Sequence, residues 1–133
     1  MQIGIKNLFQ PGLAKELLVA NILGHTLIPD KREPDAKDSE GHFYEYLTCM
    51  PGGTFQIDRV TKDNAYRITR NYKIYCITFS DEVPLTVIDI YEIDPDVFLK
   101  EALRQLEVSK NVISHVGVVK KWVTEHGTLV YPV

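Results

Sequence analysis

The chain has 133 residues, 44% of them hydrophobic and 25% charged, and a net charge of −3. These totals describe a single ordinary globular domain over residues 1–133 and exclude a low-complexity or collagen-like chain. No apolar run reaches membrane-spanning length and "MQIGIKNLFQPG" lacks a secretory layout, so a cytoplasmic protein with no membrane partner and reduced thiols at Cys49 and Cys76 is expected.

The first periodic segment, "LAKELLVANILG", puts Leu13, Leu17, Leu18 and Ala20 on one helical face and Gly24 at its stop. "HTLIP" reads as a short strand ended by Pro29-Asp30, and a polar run carrying Pro34-Asp35 follows. "HFYEYLTC" is aromatic and β-preferring, a strand closed by the turn "MPGGT". "TFQIDR" is a short strand, and "KIYCITF" and "LTVIDIYEI" are strands about the turn "SDEVP". Asp94-Pro95 opens a helix through "DVFLKEALRQLEV". "VVKKWVTEHG" reads as a last helix ending at His126 and Gly127, and "TLVY" as a closing strand. The order predicts an α/β protein of the α+β kind, with a mixed sheet flanked by helices.

Charge is segregated along the chain. Basic residues recur in "RVTKDNAYRITRNYK" and "VVKKW", while acids concentrate between Asp30 and Glu45 and between Asp81 and Glu107. That pattern allows a cationic surface beside an acidic pocket despite the negative total. Arg67, Arg70 and Lys73 read either as phosphate contacts or as plain charged surface.

Within "HFYEYLTC", alternation puts Phe43, Glu45 and Leu47 on one face and His42, Tyr44 and Tyr46 on the other. A carboxylate in that setting is costly unless something positive meets it. Asp35, ten residues earlier, comes from a polar approach loop that a hairpin can bring beside Glu45. Two hard oxygen ligands would suit Mg²⁺, and equally the two acids can be an ordinary loop residue and a strand residue facing water.

A Pro-Asp pair, then ten residues to an acid in a strand, resembles the PD-(D/E)XK nuclease motif. Collinear similarity from Leu8–Gln10 through "KELLVANILGHTLIP", "PDAKDSEGHFYEYLTC", "KIYCITF", "IYEIDPDVF" and "KKWVTEHGTLVY" resembles the PvuII-like type II restriction endonucleases. The resemblance implies a restriction-endonuclease-like core and a Mg²⁺-dependent DNA endonuclease, with Mn²⁺ as a substitute. It further implies a homodimer acting on double-stranded DNA and a cognate DNA methyltransferase in the host. Asp35 and Glu45 match the metal-binding carboxylates, and the Tyr46 carbonyl would be a further ligand.

This sequence departs from the family at several positions. Leu47 stands where the motif has lysine, leaving Lys37 and then Lys62 as the nearest substitutes, a slower metal-only enzyme, or a relative that binds without cutting. The base-reading strand, "GGTFQIDR", has no histidine; Gln56 and Asp58 share a face, with Arg59 beside them, and could read adenine and cytosine. Ser114-His115 match an asparagine pair, and Pro11 matches an aspartate that reaches the DNA in the family. Lys62, Arg67 and Arg70 are the expected phosphate contacts. The family also has an N-terminal helical segment used in its dimer, which is expected to be missing here. Trp122 and Tyr131 read as core residues, His126 as a residue facing the helix dipole, and His25 as a histidine with no partner signal.

Three functions therefore compete at this point: a nuclease, a DNA-binding module that does not cleave, and an interaction protein on the same fold.

Overall fold

The computed structural model describes residues 11–29, 34–109 and 114–133, so the similarity at Leu8–Gln10 and the strand stop at Asp30 lie outside the described residues. Helix α1 (Pro11–Leu23) stops at Gly24, whose φ of +74° is the left-handed conformation of a helix terminator. Strands β1 (Thr26–Leu27), β2 (Ala36–Lys37), β3 (Phe43–Cys49) and β4 (Thr54–Val60) follow. A 3-10 helix (Ala65–Arg70) leads to β5 (Lys73–Phe79) and β6 (Val87–Ile93). Helix α2 (Pro95–Val108), β7 (Ser114–Val119), helix α3 (Lys120–His126) and β8 (Thr128–Tyr131) end the chain. Asp94 caps α2 by accepting the Asp96 N–H at 3.0 Å, with Pro95 in the first turn.

Six strands form one mixed sheet in the order β1-β2-β3-β5-β6-β8, in which β3 and β5 run parallel and the other neighbours antiparallel. Strands β4 and β7 form a separate antiparallel pair. β5 is central because Ile74 through Phe79 are all buried, which suits a strand covered on both faces. On one side Tyr44, Tyr46, Tyr75, Ile77 and Phe79 meet Val19 and Ala20 of α1. On the other, Leu47, Ile74 and Cys76 meet Phe55, Ile68, Phe98 and Val116. Each fully buried Phe or Ile contributes about 1.5–3 kcal/mol, so these two cores fix the layers.

Three elements differ from the sequence expectation, the first being β2, which pairs with β1 and β3 within the polar run read as a loop. Ala65 and Ile68 stand three apart and are both buried, which is the period of a 3-10 turn, so part of the basic run folds onto the core. Val118 and Val119 belong to β7 and not to the last helix: Val116 and Val118 alternate into the core opposite β4. The Lys120 ammonium at the start of α3 ties that unit to the main sheet through Thr78 Oγ1 at 2.7 Å and through Asp89. Trp122 packs against the core edge-on to Phe98, and His126 Nδ1 lies 2.8 Å from the Trp122 carbonyl in the last turn of α3. Both cysteines are free thiols, Cys76 buried and Cys49 only half-buried. Among the described residues no helix is long and apolar enough to cross a membrane.

Candidate functional site

Strand β2 sets Lys37 opposite Phe43 and Ala36 opposite Tyr44, and Asp35 immediately precedes it. Asp35 is not on the free loop that its polar surroundings suggest. Its carbonyl accepts the Ile28 N–H at 2.9 Å and its Oδ2 accepts the Tyr46 N–H at 2.8 Å, so it is pinned between β1 and β3. Glu45 is half-buried on β3 beside Ile74 of β5, with exposed Phe43 on one side and Leu47 on the other.

A third acid joins them. Glu16, the lone acid of α1, reaches the site from the helical layer; a single carboxylate in the apolar "LAKELLVANIL" was the signal for it. Burial first, then the charge of Asp35, raises Glu16 to about 7. Burial, then Asp35, with Glu16 adding, raises Glu45 to about 8. Asp35 is also raised by burial, against the opposing pull of the Tyr46 N–H and of Arg70. The Arg70 guanidinium lowers both Asp35 and Glu45 and is, among the described residues, the cation that acts on both.

Glu45 opens at one end of a cavity of about 580 Å³ whose wall includes Asp58, Arg59, Arg67, Arg70 and Asn71. Three arginines of the basic run thus line one space with a site carboxylate. The 3-10 helix explains this, because burying Ala65 and Ile68 turns Tyr66, Arg67, Thr69 and Arg70 outward.

Other expected residues fall elsewhere. Lys62 is an exposed residue ion-paired with Glu107 at 3.1 Å, which directs it to α2 and away from the carboxylates. Lys37 is exposed and pairs with Phe43, two residues beyond Asp35 and on the far side of Glu45 from Leu47. Leu47 is 5% exposed within the core, so the motif's lysine position is filled by packing. On the base-reading side, Asp58 and His115 are exposed and joined across β4 and β7 at 2.8 Å, with Gln56 exposed opposite Gly117. Ser114 is instead turned to Ser109, Oγ to Oγ at 2.7 Å. Arg59 has a φ of +57° at the irregularity between Ile57 and Val60. His25 has partners after all: its Nδ1 is 2.6 Å from the Tyr46 hydroxyl and its ring stacks on Tyr44 at 3.9 Å.

A second group of potential ligands, Asp38, Glu40 and His42, lies within 4.8 Å in the turn between β2 and β3. Its oxygens have structural duties. Asp38 Oδ1 accepts the N–H groups of Glu40 and His42 at 2.9 and 3.0 Å, and Oδ2 accepts the Tyr44 hydroxyl at 2.7 Å. These bonds hold Asp38 well below the usual carboxylate range and stabilise the turn.

No protein-family model matches the chain, and none of the curated proteins does.

Proposed function

We propose that the protein is a divalent-metal-dependent DNA endonuclease of the type II kind, built on a PD-(D/E)XK core. The observation that carries this reading is that Asp35, just before β2 and bonded to the Tyr46 N–H, lies within the electrostatic reach of Glu45 on β3, with Glu45 opening into an arginine-lined cavity. Three acids held above their ordinary range, with Arg70 the main opposing cation, form a donor set that gains from added positive charge. Asp35 and Glu45 would hold a Mg²⁺ or Mn²⁺ ion, with the Tyr46 carbonyl and Glu16 as further donors. When bound, such an ion supplies Lewis acidity toward a phosphate oxygen and acidifies a water.

The chain's own residues do the rest. Arg59, Arg67 and Arg70 bind the DNA backbone, and the Tyr46 N–H orients Asp35. Arg70 takes over the charge of the motif lysine but not its proton chemistry, because a guanidinium stays protonated. It stabilises negative charge as it develops on the scissile phosphate. Action on both strands of a duplex calls for a homodimer, and a host using such an enzyme needs a cognate DNA methyltransferase.

One observation favours a second reading, a DNA-binding module that does not cut: Leu47, buried in the core, fills the motif's lysine position, and among the described residues no lysine acts on Glu45. Incubating mixed-sequence plasmid with Mg²⁺ or Mn²⁺, beside Glu45→Ala, separates the two. Discrete fragments that vanish in the variant support the nuclease. Retarded DNA without fragments supports the binding module.

A further inference from the structure

Strand β4 breaks its own alternation at the cavity. Phe55 and Ile57 face the core, so a regular strand would turn Arg59 the same way and send Val60 outward. The opposite is found: Arg59 is exposed and Val60 is only 3% exposed. Ile57 stands opposite Val116 and Val60 opposite Ser114, so Asp58 and Arg59 together face the single residue His115. One extra residue is thus inserted into β4, a β-bulge, and Arg59 within it has a φ of +57°.

Glycine adopts that conformation freely, whereas a residue with a Cβ is strained in it. Glycine is also the usual left-handed residue of a bulge, so an arginine here works against its own backbone. Strain of this kind persists where neighbouring bonds enforce it. Asn64 supplies them: its Nδ2 donates to the Arg59 carbonyl at 3.0 Å, and its Oδ1 accepts the Thr61 N–H at 2.8 Å. Thr61 Oγ1 in turn accepts the Asn64 N–H at 3.1 Å. Arg59, Thr61 and Asn64 all line the cavity onto which Glu45 opens.

The nearby charges leave Arg59 for an anion from outside. Asp58 is joined to His115 at 2.8 Å and Lys62 to Glu107 at 3.1 Å, while among the described residues Arg59 makes no ion pair. A guanidinium suits phosphate because its planar fork matches two oxygens at once.

We propose that the bulge is a positioning device for duplex DNA: it brings out to the cavity an arginine that regular pairing would bury, and Asn64 and Thr61 are the positioning residues that hold it for a backbone phosphate. The proposal rests on the DNA-binding part of the reading above and adds two residues that act on DNA only through Arg59.

The test combines thermal melting with fluorescence anisotropy of the full chain on labelled mixed-sequence duplex, in chelator at several salt concentrations. Arg59→Ala and Arg59→Gly should both weaken binding about tenfold and flatten the slope of log K against log salt by about 0.9, the value for one phosphate contact. Arg59→Gly should nonetheless melt roughly 3–6 °C above Arg59→Ala, because glycine relieves the left-handed strain. Asn64→Ala, and the milder Thr61→Val, should weaken binding in the parent but not in Arg59→Ala. Lys62→Ala, a cation of the same run already paired with Glu107, should change affinity by about twofold at most.

Unchanged affinity and salt slope in Arg59→Ala overturn the proposal and leave the nuclease reading standing on Arg67 and Arg70. So does a Lys62→Ala loss as large as that of Arg59→Ala, which would mean that any cation of the run serves. Equal melting of the glycine and alanine variants overturns the strained bulge. Losses in Asn64→Ala and Thr61→Val that are the same with and without Arg59 overturn the positioning role. Failure of the parent to bind duplex at any salt overturns both this proposal and the DNA reading.

Discussion

Raising the pH in the absence of divalent metal should loosen this protein, and the size of the effect follows from the site. Glu45 rises from 4.5 to about 8 in the folded chain and Glu16 from 4.5 to about 7, mainly through burial. A carboxyl group raised on folding holds its proton more tightly in the folded state than in the unfolded one. Its stabilising effect is complete below the unfolded value and is lost as pH climbs through the folded value. His25, lowered by burial, works the other way, but only below its ordinary value of 6.5. The clean window is therefore pH 6.5 to 8. Each pH unit removes about 1.4 kcal/mol for a group ionised only when unfolded, so Glu45 gives up about 2 kcal/mol across the window. Glu16, half-buried and already titrating, adds well under 1 kcal/mol. For a domain of this size the fall in Tm is roughly 6–10 °C. The assay is thermal melting by circular dichroism in EDTA at several pH values, for the parent and for Glu45→Gln. The parent should melt lower at pH 8 than at 6.5, and the variant should lose most of that slope. Added Mg²⁺ or Mn²⁺ should raise Tm more at pH 8, because the ligands must be ionised to bind. A parent Tm that is flat or rising in EDTA, or a variant that keeps the slope, refutes the buried acidic cluster.

Restoring the motif lysine should fail: Leu47→Lys puts an ammonium among Phe55, Ile74 and Cys76, and urea unfolding should show a loss of about 3 kcal/mol or more rather than plasmid cleavage showing a gain. Arg70→Ala should lower the plasmid cleavage rate by about 10²- to 10³-fold at saturating DNA, while Lys62→Ala, which removes only an exposed ion pair to Glu107, should leave that rate unchanged. Gly127→Ala should destabilise by about 1–3 kcal/mol in the same urea assay, since an added Cβ would stand 2.9 Å from the Val123 carbonyl and 3.0 Å from that of Glu92 and would press on Ile93 Cδ1.

Much of the architecture was legible in the chain because local rules agreed with the global packing. Gly24 and Gly127 end helices, Asp94-Pro95 begins one, and the apolar run at Ile74–Phe79 occupies the middle of the sheet. The misses have local causes. The 3-10 turn rests on only two buried residues, Ala65 and Ile68, among polar neighbours, too few to give a period. β7 carries Gly117 in its middle and runs directly into α3, so its period-two valines read as the start of the helix.

Taken alone, the sequence determined most of the element types and the mixed character of the sheet, because these depend on turn chemistry, periodicity and spacing along a short stretch. Tertiary structure decided which charges share the site. Glu16 and Arg70 lie 29 and 25 residues from Glu45, and only the packing of α1 and of the 3-10 helix brings them within its field. The same packing sent Lys62 to Glu107 and placed Leu47 in the core. Coulombic interaction depends on distance in space and on how much water is excluded, and neither quantity is written in the order of residues.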